Sequence, residues 1–283
     1  MGRYVVSLGS KRALREAHAG GKGATLAWLG RNGFNVPPGF VITPTAFNEV
    51  TALQSIEARD QSLDWRPELL GRTQDAMLRA DIPAHLARAI VNAYRELGGT
   101  VAVRSSMVGE DASLRSFAGQ LETRLGVETA TDLLRAVREC WASTFSARAA
   151  AYLKGSEVLG EPPPEHPPPM AVVVQRMVDA AAAGVAFSVD PVTGQSYVVI
   201  EAASGLGDAV VAGLVEPDRH VVDDRGGAIE TTVVDAEAPA LAEEQVVELA
   251  AIVRRIASRR GAPQDVEWAW DGAAFHILQT RPI

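Results

Sequence analysis

The sequence predicts an α+β protein of two lobes, and three observations support that fold class. The chain has 283 residues, 47% of them hydrophobic, which is enough to bury a large core. Helical and strand patterns are mixed before residue 161, whereas β-branched runs dominate after residue 169. Between them, residues 161–169 read EPPPEHPPP, a stiff connector because proline fixes φ. We therefore expect lobes at 1–165 and 166–283, hinged near the prolines.

The first lobe should alternate helices with short strands. A helix over Ala24–Asn32 would end at Gly33, a favoured C-terminal residue, and Thr43-Pro44 can begin another helix. Apolar residues at helical spacing predict one or two helices within 131–154. Strands are expected at 40–42 and 101–104.

The second lobe should be mostly sheet. Strands are expected at 170–178, 184–189 and 197–201, because β-branched runs there are separated by turn residues. An amphipathic helix follows, marked by Val246, Leu249, Val253 and Ile256. The chain should end in a β-hairpin over 265–279 around Asp271-Gly272.

Composition excludes several classes of function. The net charge of −8 argues against general nucleic-acid binding, because an acidic surface repels phosphate backbones. A single cysteine, Cys140, permits neither an intrachain disulfide nor a cysteine-based zinc site. We find no leader-like start and no apolar run of membrane-spanning length, so we expect a cytoplasmic protein.

The first candidate site is Gly20-Gly21-Lys22-Gly23, directly before the first predicted helix. Glycines let backbone amides approach an anion, the helix N-terminus adds positive potential, and Lys22 adds a full charge. The segment is not a P-loop, because the GxxxxGK[ST] spacing is missing. The alternative is a flexible turn with a solvated lysine.

Two further segments carry groups suited to a nucleotide. Arg104 ends a predicted strand, and its guanidinium could hold a phosphate while the hydroxyl-rich loop that follows closes over it. The alternative is an ordinary surface loop in which Arg104 pairs with Glu110 or Asp111. The stretch Gln175-Arg176-Met177-Val178 could offer backbone groups to adenine while Met177 covers the ring; the alternative is an ordinary core strand. The glycine-rich turn at 203–208 and the segment 184–194 are weaker signals.

The terminal hairpin is the most informative segment. Asp265 and Glu267 alternate to one strand face, as do Gln279 and Arg281 on the next strand. Carboxylate, amide and guanidinium groups on one face suit magnesium and a triphosphate. A two-residue loop would put Gln279 on the opposite face, whereas a three-residue loop, 271–273, would bring all four together; we predict the three-residue loop. The alternative is a solvated strand face.

Taken in order, these segments resemble one family. The stretches GGKGATLAWL, GFNVPPGFVITPTAF, VAVRSSMVGEDASLRSFAGQLET, CWASTFSARAAAY, MAVVVQRMV with GVAFSVDPVTG, ASGLGDAVVAGLVEPD, and PQDVEWAW with FHILQTRPI cover nearly the whole chain. They are similar to the N-terminal ATP-binding domain of phosphoenolpyruvate synthase, pyruvate phosphate dikinase and rifampicin phosphotransferase.

The resemblance implies an ATP-grasp-like fold with Mg-ATP in a cleft between two lobes. It implies that Lys22 (with Gly21), Arg104 and Arg281 act on the phosphates, and that Glu267 and Gln279 bind Mg²⁺. It also implies that residues 175–178, Gln175, Arg176, Met177 and Val178, lie at adenine and that Glu201 lies near the ribose. One departure is Met107-Val108, where the family usually has a small residue and a hydroxyl, which puts phosphate contacts of that loop in question.

Three functions follow as hypotheses. None of the five histidines sits in the family's histidine-domain motif, so the first is a phosphotransferase subunit that passes a phosphoryl or pyrophosphoryl group from ATP to a histidine on a separate partner. The second is a stand-alone small-molecule kinase or activating enzyme of a biosynthetic pathway. The third is a non-catalytic nucleotide-binding module.

Overall fold

The computed structural model describes residues 2–53, 67–109, 122–146, 149, 168–205, 215–223, 227–235 and 237–283. These residues divide into two compact units, which we describe separately: the first comprises Met1–Trp28 and Pro38–Met177, and the second Leu29–Pro37 and Val178–Ile283. Several expectations lie outside the described residues: most of the proline connector, the loop at 110–121, the helix expected near 150–154, and the end of the 203–208 turn.

The first unit contains a five-stranded sheet in the order β1-β2-β5-β3-β4, with every adjacent pair antiparallel. Its elements are β1 (Val5–Ser7), a 3₁₀ turn (Lys11–Leu14), α1 (Glu16–Arg31, which continues into the second unit), β2 (Gly39–Ile42), α2 (Pro44–Leu53), α3 (Pro67–Arg79), α4 (Ala84–Leu97), β3 (Val101–Met107), β4 (Thr123–Val127), α5 (Ala130–Ser143) and β5 (Met170–Arg176).

The two faces of this sheet have different environments. Alternate residues such as Phe40, Val103 and Val172 join one core cluster with apolar residues of α2, α3, α4 and α5. Side chains alternate between faces along a strand, so their neighbours Val41, Arg104 and Val173 lie on the opposite face. The core therefore covers one face and leaves the other for α1 and the candidate site residues.

The second unit contains a six-stranded antiparallel sheet in the order β11-β10-β6-β7-β8-β9. Its elements are β6 (Ala182–Phe187), β7 (Val198–Ser204), β8 (Asp218–Val222), β9 (Ala228–Thr232), α6 (Glu243–Arg260), β10 (Gln264–Trp270) and β11 (Phe275–Pro282).

Helix α6 packs against the sheet of the second unit through the predicted apolar stripe. Val246, Leu249, Val253 and Ile256 are all buried, and the helix contacts β6, β7, β8 and β10. Glutamates open the helix and arginines close it, which complements the helix dipole, and it stops at Gly261 in the left-handed region (φ 72°). This prediction is confirmed. No helix among the described residues is long and apolar enough to cross a membrane.

The structure confirms the α+β class and corrects two local predictions. Helix α1 begins at Glu16 rather than near Ala24, and the glycine-lysine segment lies at a break within it, where the backbone of Gly20 is not helical. The final hairpin has a four-residue loop, Asp271–Ala274, so the predicted three-residue loop is wrong. The elements β1, β4, β8, β9, α3 and α4 had no sequence prediction.

Candidate functional site

Helix α1 is broken at Gly20, which has φ 65° and ψ 178°. Glycine is required there for two reasons: φ is positive, and a β-carbon would overlap the carbonyl oxygen of Ser106. The break starts a new helical segment at Gly21, so Gly21, Lys22 and Gly23 form its first turn. The first amides of a helical segment lack intrahelical acceptors, which makes this turn suited to an anion.

Ser106 on β3 bridges the break in α1. Its hydroxyl donates to the carbonyl of Ala19 (2.7 Å) and accepts from the amide of Gly23 (3.1 Å), and the residue is fully buried. The bridge fixes the Lys22 turn against the sheet. It also occupies one amide of the turn, that of Gly23.

Arg104 and Gln175 lie on the same sheet face as this turn. Arg104 is two residues from Ser106 and directly opposite Val173 on β5, and Gln175 is two residues further along β5. A β-carbon on Gly23 would lie 3.4 Å from a methyl group of Val173. The first unit therefore brings Gly21, Lys22, Arg104 and Gln175 to one face.

Arg176 and Met177 are engaged elsewhere in the first unit. The Arg176 guanidinium donates to the carbonyls of Leu97 and Gly98 at the end of α4, as basic side chains do at helix C-termini. The backbone amides of Arg176 and Met177 donate to the carbonyls of Pro38 and Thr100, both at 2.9 Å. These two amides therefore have partners within the fold, and the placement of residues 175–178 at adenine stays a prediction.

The sulfur of Met177 also has a partner, because it accepts from the amide of Gly126 at 3.0 Å. This hydrogen bond fixes the position of the Met177 side chain beside β4.

Met107 does not alter the face that carries Arg104. It is buried in the core cluster on the other side of the sheet, because it alternates with Ser106 along β3. The departure from the family pattern at this position is thus accommodated by core packing.

In the second unit, a β-bulge brings the four polar hairpin residues to one face. Trp268 pairs with Ile277, and the register then shifts so that Glu267 faces Gln279 and Asp265 faces Arg281. Leu278 is the extra residue of the bulge, which offsets the even-numbered loop. The prediction that these four residues share one face is confirmed, but a bulge brings them together rather than an odd-numbered loop.

A continuous row of paired residues crosses five strands of this sheet. Gln279 faces Glu267, Glu267 faces Val185, Val185 faces Glu201, and Glu201 faces Arg219. Directly opposite residues point to the same side of a sheet. Glu201 and Glu267 are therefore on one face, about 10 Å apart by strand spacing. Sequence reasoning did not identify Arg219, which also lies 3.7 Å from Glu230.

Asp265 holds Arg281 in place. The Nε and one Nη of Arg281 both lie 2.7 Å from Oδ2 of Asp265. Burial raises the pKa of Asp265, the Arg281 charge opposes that rise, and Glu267 adds to it. The carboxylate is therefore poorly compensated even with its arginine partner.

The same residues fit a divalent cation. Oδ1 of Asp265 is buried and has no hydrogen-bond partner among the described residues. It lies on the face that carries Glu267 and Gln279, whose oxygens are ligands that Mg²⁺ favours. The described residues contain no group of three or more His, Cys, Asp and Glu side chains placed to hold a metal ion. The Glu267–Gln279 pair offers one carboxylate and one amide.

Comparison with known proteins identifies the family of the chain. The family model "Pyruvate phosphate dikinase, AMP/ATP-binding domain" matches residues 16–237 and 224–283. The chain belongs to that family, and its nucleotide is accordingly ATP or AMP.

Three curated relatives resemble the chain along nearly its whole length. A rifampicin phosphotransferase from Streptomyces sp is 37% identical over 100% of this chain and 36% of its own length. A probable phosphoenolpyruvate synthase from Methanothermobacter thermautotrophicus is 36% identical over 94% of this chain and 44% of its own length. The prodigiosin synthesizing transferase PigC from Serratia marcescens is 36% identical over 99% of this chain and 33% of its own length. The chain thus spans less than half the length of each of these relatives.

Proposed function

We propose that this chain binds Mg-ATP in the cytoplasm and passes a phosphoryl or pyrophosphoryl group to a histidine on a partner protein or domain. Membership of the AMP/ATP-binding family and the two polar faces support this proposal. The first unit carries the Lys22 turn and Arg104, and the second carries the polar face of the hairpin.

Each residue has a role that follows from its chemistry. Lys22, Arg104 and Arg281 would spread the charge of the transferring group, since oriented cations stabilise a phosphoryl-transfer transition state. Glu267 and Gln279 would hold Mg²⁺, which supplies charge neutralisation between phosphate oxygens. Glu201 would accept from ribose hydroxyls, and Gln175 and Val178 would contact the base.

The observation that carries the proposal is the pair of adjacent cross-strand contacts, Glu267 with Gln279 and Asp265 with Arg281. They place two carboxylates, an amide and a guanidinium within two residues of each other on one sheet face. A partly exposed arginine held by a buried aspartate is pre-organised for an anion, because its side-chain entropy has already been lost.

Three of the four described histidines, His85, His220 and His276, have burial or contacts that favour an acceptor outside this chain. His220 is buried, and both ring nitrogens of His276 lie within hydrogen-bond distance of Asn35 or Asp271. Nε2 of His85 lies 2.7 Å from Glu49. A phosphorylated histidine has to reach the nucleotide and then a second substrate, which these contacts disfavour.

The test is incubation with ATP labelled in its γ- and β-phosphates, with Mg²⁺, alone and with candidate histidine-carrying proteins. Label on a partner histidine, with AMP or ADP formed in equal amount, would support the proposal. Its loss in Glu267→Ala and Arg281→Ala variants that remain folded would assign the site. Turnover unaffected by both substitutions would refute the residue assignments, and failure to bind ATP would refute the function.

A second candidate is direct transfer to a small molecule. The names of two relatives favour it, because a rifampicin phosphotransferase acts on a small organic molecule and a prodigiosin synthesizing transferase makes one. Formation of ADP with a small acceptor and no protein partner would favour this candidate. Binding of ATP without turnover under any of these conditions would favour a non-catalytic module.

A further inference from the structure

Asn35 makes three contacts with consecutive residues of β11 in the second unit. Its carbonyl accepts from the amide of Ile277 (2.8 Å), and its side-chain amide donates to the carbonyl of Phe275 (3.0 Å). The same Nδ2 lies 3.2 Å from Nδ1 of His276. One residue from a distant part of the sequence therefore holds residues 275–277.

These contacts define the tautomer of His276. The Phe275 carbonyl can only accept, which orients the Asn35 amide group with its NH₂ toward the strand. Nδ1 of His276 then accepts the second hydrogen, and its Nε2–H donates to Oδ2 of Asp271 at 2.7 Å. Oδ1 of Asp271 accepts from the amides of Ala273 and Ala274. A chain of hydrogen bonds thus runs from Asn35 through His276 into the hairpin loop.

The clamped residues end directly before the bulge. Leu278, the extra residue, follows Ile277, and the register change there decides which residue faces Glu267. With the same four-residue loop and no bulge, Leu278 would face Glu267. Gln279 and Arg281 would then lie on the opposite side of the sheet, since a one-residue slip inverts every side chain.

We propose that Asn35 and His276 are positioning residues that hold the β11 register and so place Gln279 and Arg281 beside Glu267. The effect of the clamp on Mg-ATP affinity rests on the proposed function, whereas its effect on the β11 register does not. The hydrogen bonds compensate for a bulge that interrupts the ladder, so losing them allows the unbulged pairing to compete.

The register can be tested without nucleotide. Opposite residues have Cβ atoms about 4.5–5.5 Å apart, close to disulfide geometry. A Glu267→Cys/Gln279→Cys pair should therefore crosslink efficiently on oxidation, and a Glu267→Cys/Leu278→Cys pair poorly. The native Cys140 is buried and should not compete. Adding Asn35→Ala should reverse this preference, whereas Asn92→Ala, an exposed asparagine on α4, should leave it unchanged.

The consequence is tested on chains that keep Glu267, Gln279 and Leu278. Asn35→Ala should weaken Mg-ATP binding at least tenfold, and binding to Mg-free ATP by a smaller factor, because Gln279 and Arg281 both move with the register. Two His276 variants separate its two bonds: His276→Asn keeps a group near Nδ1 for Asn35, and His276→Gln keeps one near Nε2 for Asp271. The clamp predicts tighter Mg-ATP binding by His276→Asn than by His276→Gln.

Each outcome separates the inference from the proposed function. An unchanged crosslinking preference in folded Asn35→Ala overturns the clamp. If that variant does not fold, equal Mg-ATP affinity in the two His276 variants overturns it instead. If the wild-type chain does not bind Mg-ATP, the proposed function fails, and crosslinking still decides whether the clamp exists.

Discussion

The two ends of the β10–β11 hairpin differ in how well their charges are satisfied. At the loop end, Asp271 accepts two backbone amides and the His276 ring, and these bonds lower its pKa to about 2. At the other end, Asp265 shares one oxygen with Arg281, keeps a second buried oxygen without a described partner, and has a pKa raised by burial.

This difference separates structural polar groups from functional ones. The carboxylate of Asp271 is exposed, and its oxygens accept from amides and a ring of the same hairpin, so these bonds serve the structure of the loop itself. The strand end costs stability because carboxylates are concentrated there with incomplete compensation. Residues that are poorly satisfied in the free protein are typical of binding sites, where a ligand supplies the missing charge.

The largest expected effect is the loss of Mg-dependent turnover in Glu267→Gln. This variant removes a charged Mg²⁺ ligand and should lower Mg-dependent turnover about 100-fold or more, since even indirect ligand partners cost 10–100-fold. It should not lower the free energy of unfolding, because it also removes a charge that raises the pKa of Asp265. Turnover assays and urea denaturation measure the two effects. A variant that is both active and destabilised would assign Glu267 to the structure rather than to the site.

A smaller effect is expected from Arg281→Ala. Asp265 would remain buried without its arginine, which should lower the free energy of unfolding by about 1–3 kcal/mol at neutral pH. Adding Asp265→Asn should restore part of that loss, because it removes the uncompensated charge. Denaturant titration of the two single variants and the double variant measures this coupling. Additive losses would show that the pair observed in the structure contributes nothing to stability.

The smallest effect is a difference in pH dependence between the two aspartates. The folded-state pKa of Asp271 is depressed, so its contribution is complete above its unfolded value of about 3.9 and is lost as the pH falls toward about 2. Asp265 is shifted upward, so its contribution is present at low pH and is lost as the pH rises through its folded-state pKa.

Substitution separates these two contributions. Asp271→Asn should therefore flatten the acid loss of stability, and Asp265→Asn should raise stability near neutral pH. Denaturation between pH 2 and 7 measures both, and parallel curves for the two variants would contradict the comparison.

The sequence predicted features with local signals. The stripe of α6 and strands β2, β5 and β7 followed from periodicity, and the alternation of Asp265 with Glu267 indicated the polar face. The early start of α1 was missed because Gly20 interrupts the helical pattern, although the helix resumes after a single residue with positive φ. Strand β4 carries mostly exposed residues and offered no apolar alternation to detect.

Site details that depend on distant residues were not predictable from spacing. The role of Ser106 depends on its hydrogen bonds to Ala19 and Gly23, which are more than 80 residues away in the sequence. The size of the hairpin loop was mispredicted because Asp271 accepts amides two and three residues ahead, which stabilises a four-residue loop. The bulge at Leu278 then restored the predicted face. Loop length alone could not predict this bulge, because the contacts that Asn35 makes with β11 come from a distant part of the sequence.

The most direct test of the account is calorimetric titration of the wild-type chain and Glu267→Gln with ATP, in excess Mg²⁺ and in chelator. The account predicts that wild-type affinity for ATP falls at least tenfold when Mg²⁺ is removed, and that Glu267→Gln binds with the weaker affinity in both conditions. Equal affinity of the wild-type chain with and without Mg²⁺ would contradict it.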